Sequence, residues 1–486
     1  MNNIQPTVLK DFYKADHRNQ YPDKTEFVYS NMTSRSDKHF SPAGIGYTVV
    51  AGIQYLCKEY LINQWNEGFF NQPKDEIIAK YKRRMDNALG VDAVDVSHIA
   101  ELHDLGYLPV QIKALPEGTK CPIRVPFLTI VNTDKRFYWL TNYLETLISC
   151  TTWQMQTSAT IANEYRKLLD SYAMKTVGNT DFVPFQGHDF SFRGMSSPES
   201  ACLSSAGHLF SFVGTDTIPV IDFLEEYYGA DSDKELVGCS VPATEHSVMC
   251  LGGDDNEIGT FKRLINDKYP SGIVSIVSDT WDYWKVLTHM LPTLREDIMA
   301  RVGKVVIRPD SGDPVYIVCG DPDAEEECVR KGSIEVLWEV FGGTVNDKGY
   351  KELDSHIGLI YGDSITLERC EQICRLLERK GFASTNVVFG IGSYTYQYVT
   401  RDTFGSAVKA TWGQVDGVGR SIFKDPKTDD GMKKSAKGLL RVNEDYTLSD
   451  EVSEMGEATG LLETVFMNGK IIKEYSLQEI RNRLRD

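Results

Sequence analysis

The chain has 486 residues, more than a single hydrophobic core usually serves, so we expect two domains or one large barrel with an appended sheet domain. Its 52 Lys and Arg residues against 69 Asp and Glu residues give a net charge of −17, and basic residues are not concentrated into a patch for a polyanion. We therefore expect no nucleic acid as a partner. No stretch has the apolar length of a signal peptide or a membrane span, so we expect a cytoplasmic protein that does not bind membranes.

The first part of the chain, residues 1–150, mixes short β-rich runs with helical segments. The clearest runs are 26–30 and 109–114, and no Gly/Ser-rich linker separates this part from the residues after 150. We expect it to form part of a β-rich domain that also carries helices.

The central part, residues 151–395, repeats one pattern: a short apolar run ends in small or polar residues, and a helical segment often comes next. The clearest runs are 273–277, 305–307, 357–361 and 386–389. Strands that alternate with helices predict a parallel sheet, here an α/β barrel with its active face at the carboxyl ends of the strands. After Asp363, apolar residues at helical spacing up to Leu377 predict a helix that Gly381 ends.

The last part, residues 396–486, returns to short strand-like pieces. Asn468-Gly469 is a hairpin signal, and a short charged helix closes the chain. We predict that 1–150 and 396–486 together form one β-rich domain around the inserted 151–395 barrel.

Several carboxylates come directly after predicted strands. They are Asp279, Asp310, Asp313 and Asp363, which a closed barrel brings to one mouth. Carboxylates gathered in this way bind sugar hydroxyls or a hard cation such as Mg²⁺ carried by a substrate phosphate. Any one of them alone could equally cap the helix after it. Their shared position favours a site.

A glycine-rich run, Gly390-Ile391-Gly392-Ser393, comes after another predicted strand and offers backbone N–H groups to an anion. A tight turn from strand to helix is the alternative, and the spacing does not predict a dinucleotide fold. Downstream, Arg401, Lys409 and Lys424 are candidates to add positive charge, although surface cations are the commoner case.

Residues 187–194, GHDFSFRG, combine an imidazole, a carboxylate, two aromatic rings and a guanidinium. This set suits a flat heteroaromatic ligand, with a buried ion pair among core phenylalanines as the alternative. Asp216, at another strand end, could accept an amide N–H and repel a carboxylate ligand, or simply cap a helix. In VPATEHS, residues 241–247, His246 lies beside Glu245, a pairing that is more often structural than nucleophilic.

Together these residues resemble the nicotinamide phosphoribosyltransferases, members of the type II phosphoribosyltransferases. The ordered matches run along nearly the whole chain: HDFSFRGMSS, GTDT, SVPATEHS, VSDTWD, VIRPDSG, YGDS, TRD and VFMNGKIIKEYSLQEIR. The resemblance implies a distorted α/β barrel with a β-rich domain from both chain ends, and a homodimer with shared active sites. It implies transfer of phosphoribosyl from 5-phosphoribosyl 1-pyrophosphate to nicotinamide in NAD salvage, with Mg²⁺ and with ATP as an optional co-substrate.

The resemblance also assigns roles to residues. Phe190 would stack on one face of the pyridine ring, and Tyr13 of the second subunit would cover the other face. Arg193 and Asp216 would hold the carboxamide. His246 would be phosphorylated by ATP, with Asp279 orienting it and Glu245 supporting it. The phosphoribosyl pyrophosphate would be held near the reacting centre by Arg308 and Asp310, at the ribose by Gly362 and Asp363, and at phosphates by Gly392, Ser393, Arg401, Lys409, Arg35 and Lys424.

The chain departs from the animal members of the family at the phosphate loop. Ser393-Tyr394 replaces consecutive glycines, and Ala407 replaces a serine, so other donors are expected there. Two alternative functions stay open: nicotinate phosphoribosyltransferase, which Asp216 disfavours by charge repulsion, and a non-catalytic binding protein on the same fold.

Overall fold

The computed structural model describes residues 4–423 and 436–485. The chain divides into two compact units. The end unit comprises Met1–Thr157, Leu224–Ala230 and Thr400–Asp486, and the central unit comprises Ser158–Phe223 and Asp231–Val399. Lys424, one of the predicted phosphate contacts, lies outside the described residues.

The strands of the described residues are β1 (Thr25–Thr33), β2 (Tyr47–Val49), β3 (Val110–Ala114), β4 (Lys120–Pro122), β5 (Pro126–Asn132), β6 (Gly187–Asp189), β7 (Gly214–Thr215), β8 (Val274–Val277), β9 (Val305–Arg308), β10 (Gly343–Val345), β11 (Lys351–Leu353), β12 (Ile357–Tyr361), β13 (Val387–Ile391), β14 (Ala407–Val415), β15 (Val418–Ser421), β16 (Leu439–Val442), β17 (Leu448–Val452), β18 (Glu463–Met467) and β19 (Lys470–Ile471).

The α-helices of the described residues are α1 (His17–Gln20), α2 (Ile53–Tyr55), α3 (Lys74–Leu89), α4 (Ser97–Leu105), α5 (Leu140–Tyr143), α6 (Glu145–Thr176), α7 (Val183–Gln186), α8 (Pro198–Leu209), α9 (Pro219–Tyr228), α10 (His246–Cys250), α11 (Glu257–Lys262), α12 (Tyr283–Lys285), α13 (Leu291–Met299), α14 (Pro314–Cys319), α15 (Glu327–Lys331), α16 (Ser333–Phe341), α17 (Leu367–Arg379), α18 (Ser393–Tyr396), α19 (Glu454–Ala458) and α20 (Leu477–Arg485). None of them is both long and apolar enough to cross a bilayer.

The end unit contains a seven-stranded antiparallel sheet in the order β15-β14-β1-β5-β3-β18-β19. Strands β1, β5 and β3 of the N-terminal part lie in its middle, and strands of the C-terminal part flank them on both sides, where β14 pairs with β1 and β18 pairs with β3. The predicted hairpin at Asn468-Gly469 is confirmed: both residues have positive φ, and Met467 pairs with Lys470. The β-rich domain built from both chain ends is therefore present.

The central unit contains a six-stranded sheet in the order β7-β6-β13-β12-β9-β8, and all its pairings are parallel. Single parallel bridges join Gly214 to Cys239 and Ala243 to Ser275, so the segment 239–243 links the two edge strands. The sheet curls into a distorted barrel, as the α/β class predicts. The four predicted apolar runs correspond to β8, β9, β12 and β13.

Two local predictions can be compared with this sheet. The helix after Asp363 is α17, which buries Cys370, Ile373, Cys374 and Leu377 on one stripe. In contrast, the turn predicted at Gly390 begins two residues later, because β13 continues to Ile391 and Gly390 pairs with His188.

Candidate active site

A cleft of about 800 Å³ opens at the carboxyl ends of the central strands. Nine of the predicted site residues line it: Phe190, Arg193, Asp216, Arg308, Asp310, Gly362, Asp363, Gly392 and Ser393. Arg308 is the last residue of β9, and the other eight come after β6, β7, β9, β12 and β13, which belong to one sheet. Residues up to 203 positions apart along the chain thus meet because parallel strands end at the same edge.

Phe190 lies against two glycine backbones at one end of the cleft. A Cβ built on Gly390 would lie 2.4 Å from Cδ2 of Phe190, and one built on Gly362 would lie 3.0 Å from its Cε2. Both distances are shorter than normal carbon contacts, so a side chain at either position would displace the Phe190 ring. The half-buried ring therefore has a fixed position and presents an aromatic surface to the cleft.

Asp216 is held by two donors at one carboxylate oxygen. His188 Nε2 lies 2.8 Å from Asp216 Oδ1, and Ser240 Oγ donates to the same oxygen at 2.7 Å. Burial alone would raise the pKa of Asp216, but these contacts outweigh it and hold the pKa below its ordinary value. Within the described residues Oδ2 has no hydrogen-bond partner, so an ionised oxygen remains available to a ligand donor.

Asp279 does not line the cleft itself but contacts the loop that carries Asp310, with its side chain only 3% exposed. Its Oδ2 accepts hydrogen bonds from Asp310 N at 2.9 Å, from Ser311 N at 2.8 Å and from Ser311 Oγ at 2.6 Å. Its buried Oδ1 has no hydrogen-bond partner in the described chain and lies 3.8 Å from His246 Nε2. One carboxylate therefore fixes the loop that carries Asp310 and faces the predicted nucleophile.

His246 is half-exposed, and its Nδ1 lies 3.2 Å from Thr280 Oγ1. The adjacent Glu245 precedes α10 and accepts a hydrogen bond from Ser247 Oγ. It shares no hydrogen bond or ion pair with His246 in the described residues, so the carboxylate that faces the imidazole is Asp279.

Asp310 and Arg308 form the wall beside this histidine. Arg308 Nε lies 3.7 Å from Asp310 Oδ1, and its Nη2 donates to Thr244 O at 2.7 Å. Burial raises the pKa of Asp310, and the nearby Asp279 and Asp363 raise it further against the opposing effect of Arg308. The neighbouring carboxylates therefore disfavour each other's ionised forms in the absence of a cation.

The donor set suits a magnesium–phosphate substrate. Arg308 Nε and Asp279 Oδ1 are both buried and without hydrogen-bond partners in the described residues. A phosphate oxygen would satisfy the guanidinium, and a Mg²⁺ ion carried by the phosphate would neutralise the carboxylates. The described residues contain no group of three or more His, Cys, Asp or Glu side chains placed to hold a metal ion, so the substrate phosphates would carry the ion and only Asp310 and Asp363 line the cleft beside it.

Asp313 has a different role from the other three strand-end carboxylates. Its Oδ1 accepts from the backbone N–H of Val315 at 2.8 Å, at the N-terminus of α14. The helix-cap alternative is therefore confirmed for Asp313.

Several residues of the cleft were not among the predicted contacts. Phe192, Ser364, Tyr394 and Tyr398 also line it, and the rings of Tyr394 and Tyr398 lie 4.7 Å apart. His188 holds Asp216 and was visible in the sequence only as part of the GHDFSFRG run. Its spacing from Asp216 carries no periodic signal, because the two residues belong to different strands.

The remaining predicted contacts belong to the end unit. Tyr13 is 61% exposed and packs against His17, and Arg35 Nε donates to Gly405 O at 2.7 Å. Arg401 is paired with Asp402 at 2.9 Å, and the exposed Lys409 lies on β14 opposite Asn31. Their assignment to a shared site remains a prediction.

Comparison with known proteins places the fold in a family. A family model described as the nicotinate phosphoribosyltransferase (NAPRTase) family matches residues 185–470. The chain is 56% identical to a nicotinamide phosphoribosyltransferase of Acinetobacter baylyi, over 99% of this chain and 97% of that protein. It is 36% identical to a nicotinamide phosphoribosyltransferase of Mycoplasma pneumoniae, over 86% of this chain and 92% of that protein.

A solved structure has the same fold at low sequence identity. The nicotinate-nucleotide pyrophosphorylase of Pyrococcus furiosus is 16% identical, covers 99% of this chain and 95% of its own, and superposes with a TM-score of 0.57. The fold is that of an α/β barrel enzyme, and the cleft lies at the carboxyl ends of its strands. More specifically, the chain belongs to the nicotinate phosphoribosyltransferase family.

Proposed function

We propose that this chain transfers the phosphoribosyl group of 5-phosphoribosyl 1-pyrophosphate to nicotinamide, giving nicotinamide mononucleotide and pyrophosphate in NAD salvage. The observation that carries the choice of base is the ionised Asp216 beside the ring of Phe190. A pyridine ring stacks on Phe190, its carboxamide N–H groups donate to Asp216 Oδ2, and Arg193 binds the carboxamide oxygen. The curated relatives named for the same activity support this proposal.

The second part of the cleft suits the charged sugar phosphate. The pyridine nitrogen attacks the anomeric carbon while the bond to pyrophosphate breaks, and positive charge develops on the ribose. The carboxylates of Asp310 and Asp363 line this part of the cleft and stabilise the developing charge, and Gly362 lets the ribose approach the backbone. Arg308 Nε binds a pyrophosphate oxygen, and Gly392 and Ser393 bind the 5′-phosphate. Mg²⁺, when bound, screens the pyrophosphate charge and stabilises it as a leaving group.

ATP coupling would act through His246. Asp279 faces Nε2 and favours the tautomer with the proton on Nε2, so Nδ1 accepts a hydrogen bond from Thr280 Oγ1 and becomes the nucleophile once that hydroxyl turns away. Nδ1 attacks the γ-phosphorus of ATP, the bond to the β-phosphate oxygen breaks, and ADP leaves. Hydrolysis of the phosphohistidine then releases phosphate. The added negative charge next to Asp310 and Arg308 reorganises the site that binds phosphoribosyl pyrophosphate.

The proposal includes a cytoplasmic homodimer whose two cleft regions are completed by the opposite copy. Tyr13 of a second copy covers the free face of the pyridine ring, and Arg401 and Lys409 of that copy bind phosphate. Arg35 would be a further phosphate contact, whereas Lys424 lies outside the described residues and is assigned by the resemblance alone. The exposure of the Tyr13 ring supports this arrangement. Sedimentation tests it: a dimer is expected, and a monomer at assay concentration with full activity would contradict the shared site.

The test of the activity is an incubation with phosphoribosyl pyrophosphate and Mg²⁺, with nicotinamide and nicotinate offered separately and the mononucleotide identified by mass. Product from nicotinamide is expected. Product from nicotinate alone would indicate the sister activity, and no product from either would indicate a non-catalytic protein. Asp310→Asn purified in the same way controls for a contaminating enzyme, because it should lose the activity.

A further inference from the structure

Asp189 is a fully buried carboxylate at the end of β6, directly before Phe190. Burying an isolated charge is costly, so an ionised carboxylate here needs several donors. It accepts hydrogen bonds from five groups that belong to three separate segments of the central unit. None of these donors is a charged side chain.

Four of the five donors belong to residues that adjoin the two groups of the base site, Phe190 and Asp216. Oδ1 of Asp189 accepts from Ser191 N at 3.0 Å and from Ser191 Oγ at 2.6 Å, so it holds the residue after Phe190. Oδ2 accepts from Thr215 Oγ1 at 2.9 Å and from Thr217 Oγ1 at 2.8 Å, the residues on either side of Asp216. The fifth donor is Ser205 Oγ of α8.

Few backbone hydrogen bonds connect the segment that carries Phe190 with the segment that carries Asp216. Strand β7 has two residues, and it pairs with β6 only through His188 with Gly214 and Asp189 with Thr215. One further backbone bond, from Asp216 N to Asp189 O, measures 2.9 Å. A ladder this short fixes strand register weakly, so the position of Asp216 relative to Phe190 depends on side-chain bonds.

We propose that Asp189 is a positioning residue that fixes the spacing between the Phe190 ring and the Asp216 carboxylate, and thereby sets the affinity for the amide-bearing base. Asp189 contacts no substrate; it acts through Ser191, Thr215 and Thr217. This inference rests on the proposed function. It predicts a defect confined to the base, because in the described residues the Asp189 carboxylate bonds only to Ser191, Ser205, Thr215 and Thr217, and to none of the groups assigned to the phosphoribosyl part.

The test compares three variants by separate KM values for the two substrates and by thermal stability. Asp189→Asn keeps the shape but removes the charge, and it should raise the KM for nicotinamide about tenfold while the KM for phosphoribosyl pyrophosphate stays within about twofold. Thr217→Val removes one bond next to Asp216 and should raise the nicotinamide KM about threefold. Thr217→Val decides the matter if Asp189→Asn does not fold.

The matched control is Thr176→Val, which removes a buried hydroxyl of the same unit that bonds to Tyr172 O and Ser384 Oγ. It should lower the melting temperature without moving the nicotinamide KM. The inference is overturned if Asp189→Asn and Thr217→Val leave the nicotinamide KM within about twofold, or if both KM values rise together in proportion to lost stability. Wild-type turnover is measured first, since its absence refutes the proposed function, whereas an unmoved KM refutes only the role of Asp189.

Discussion

Replacement of Asp216 by Asn should weaken the preference for nicotinamide over nicotinate. The variant keeps the shape of the side chain and can still bond to His188 and Ser240, but it removes the charge. In the wild type the carboxylate of nicotinate would face Asp216, whereas the carboxamide of nicotinamide would donate to it. The substitution therefore acts on the two substrates in opposite directions.

The size of the effect can be worked from the geometry. Two carboxylates about 4 Å apart repel by about 4 kcal/mol at an effective dielectric constant near 20. The Asp216 side chain is 45% exposed, so water and salt screen this interaction. A remaining repulsion of about 1.5 kcal/mol corresponds to about tenfold, and loss of a charge-assisted hydrogen bond to the amide costs a similar amount. The ratio of kcat/KM values for the two bases should thus fall by about 100-fold.

The assay measures kcat/KM for each base with saturating phosphoribosyl pyrophosphate. Ser240→Ala is the control, because it removes one hydrogen bond from Asp216 and keeps the charge; its ratio should change by less than about threefold. Since the pKa of Asp216 lies below its ordinary value, the wild-type ratio should stay constant from about pH 8 to about pH 6. A ratio in Asp216→Asn within about threefold of the wild type would refute the reasoning.

Three further predictions concern other parts of the cleft. Burial raises the pKa of Asp310, so ionisation of this carboxyl destabilises the fold at pH values above that pKa. The melting temperature of Asp310→Asn should therefore exceed that of the wild type at neutral pH, and the difference should disappear as the pH falls through the raised pKa. The activity of the same variant should fall by about 100-fold or more. Gly390→Ala places a Cβ 2.4 Å from the Phe190 ring and should raise the KM for nicotinamide in steady-state assays. His246→Ala should abolish any ATP-dependent gain in affinity for phosphoribosyl pyrophosphate, with basal turnover retained; an unchanged ATP effect in a binding titration would contradict the phosphohistidine proposal.

The sequence predicts the strands well where an apolar run is short and has clear ends. Strands β8, β9, β12 and β13 and helix α17 have such ends, and the polar residues after them lead directly to the cleft. Strand β7 has only two residues, and the segment 239–243 joins the sheet by single bridges, so neither has a periodic pattern. The inclusion of 224–230 in the end unit also has no signal, because it depends on contacts distant in sequence.

Residue chemistry at the strand ends predicts which side chains line the cleft, but it does not predict how they are held. Asp279 illustrates this limit: its position after β8 was visible, whereas its bonds to the backbone of Asp310 and Ser311 depend on the order of strands. Asp189 illustrates it more strongly. It lies one residue from Phe190, yet its partners Thr215 and Thr217 come from another strand end, and a single sequence contains no spacing rule for such contacts.

The most direct measurement is a competition assay with the wild-type protein, phosphoribosyl pyrophosphate and Mg²⁺, and equal concentrations of nicotinamide and nicotinate. The ratio of the two mononucleotides at early time equals the ratio of the kcat/KM values. The ionised Asp216 predicts nicotinamide mononucleotide in excess by more than about tenfold. Equal amounts of the two products, or an excess of nicotinate mononucleotide, would contradict the account.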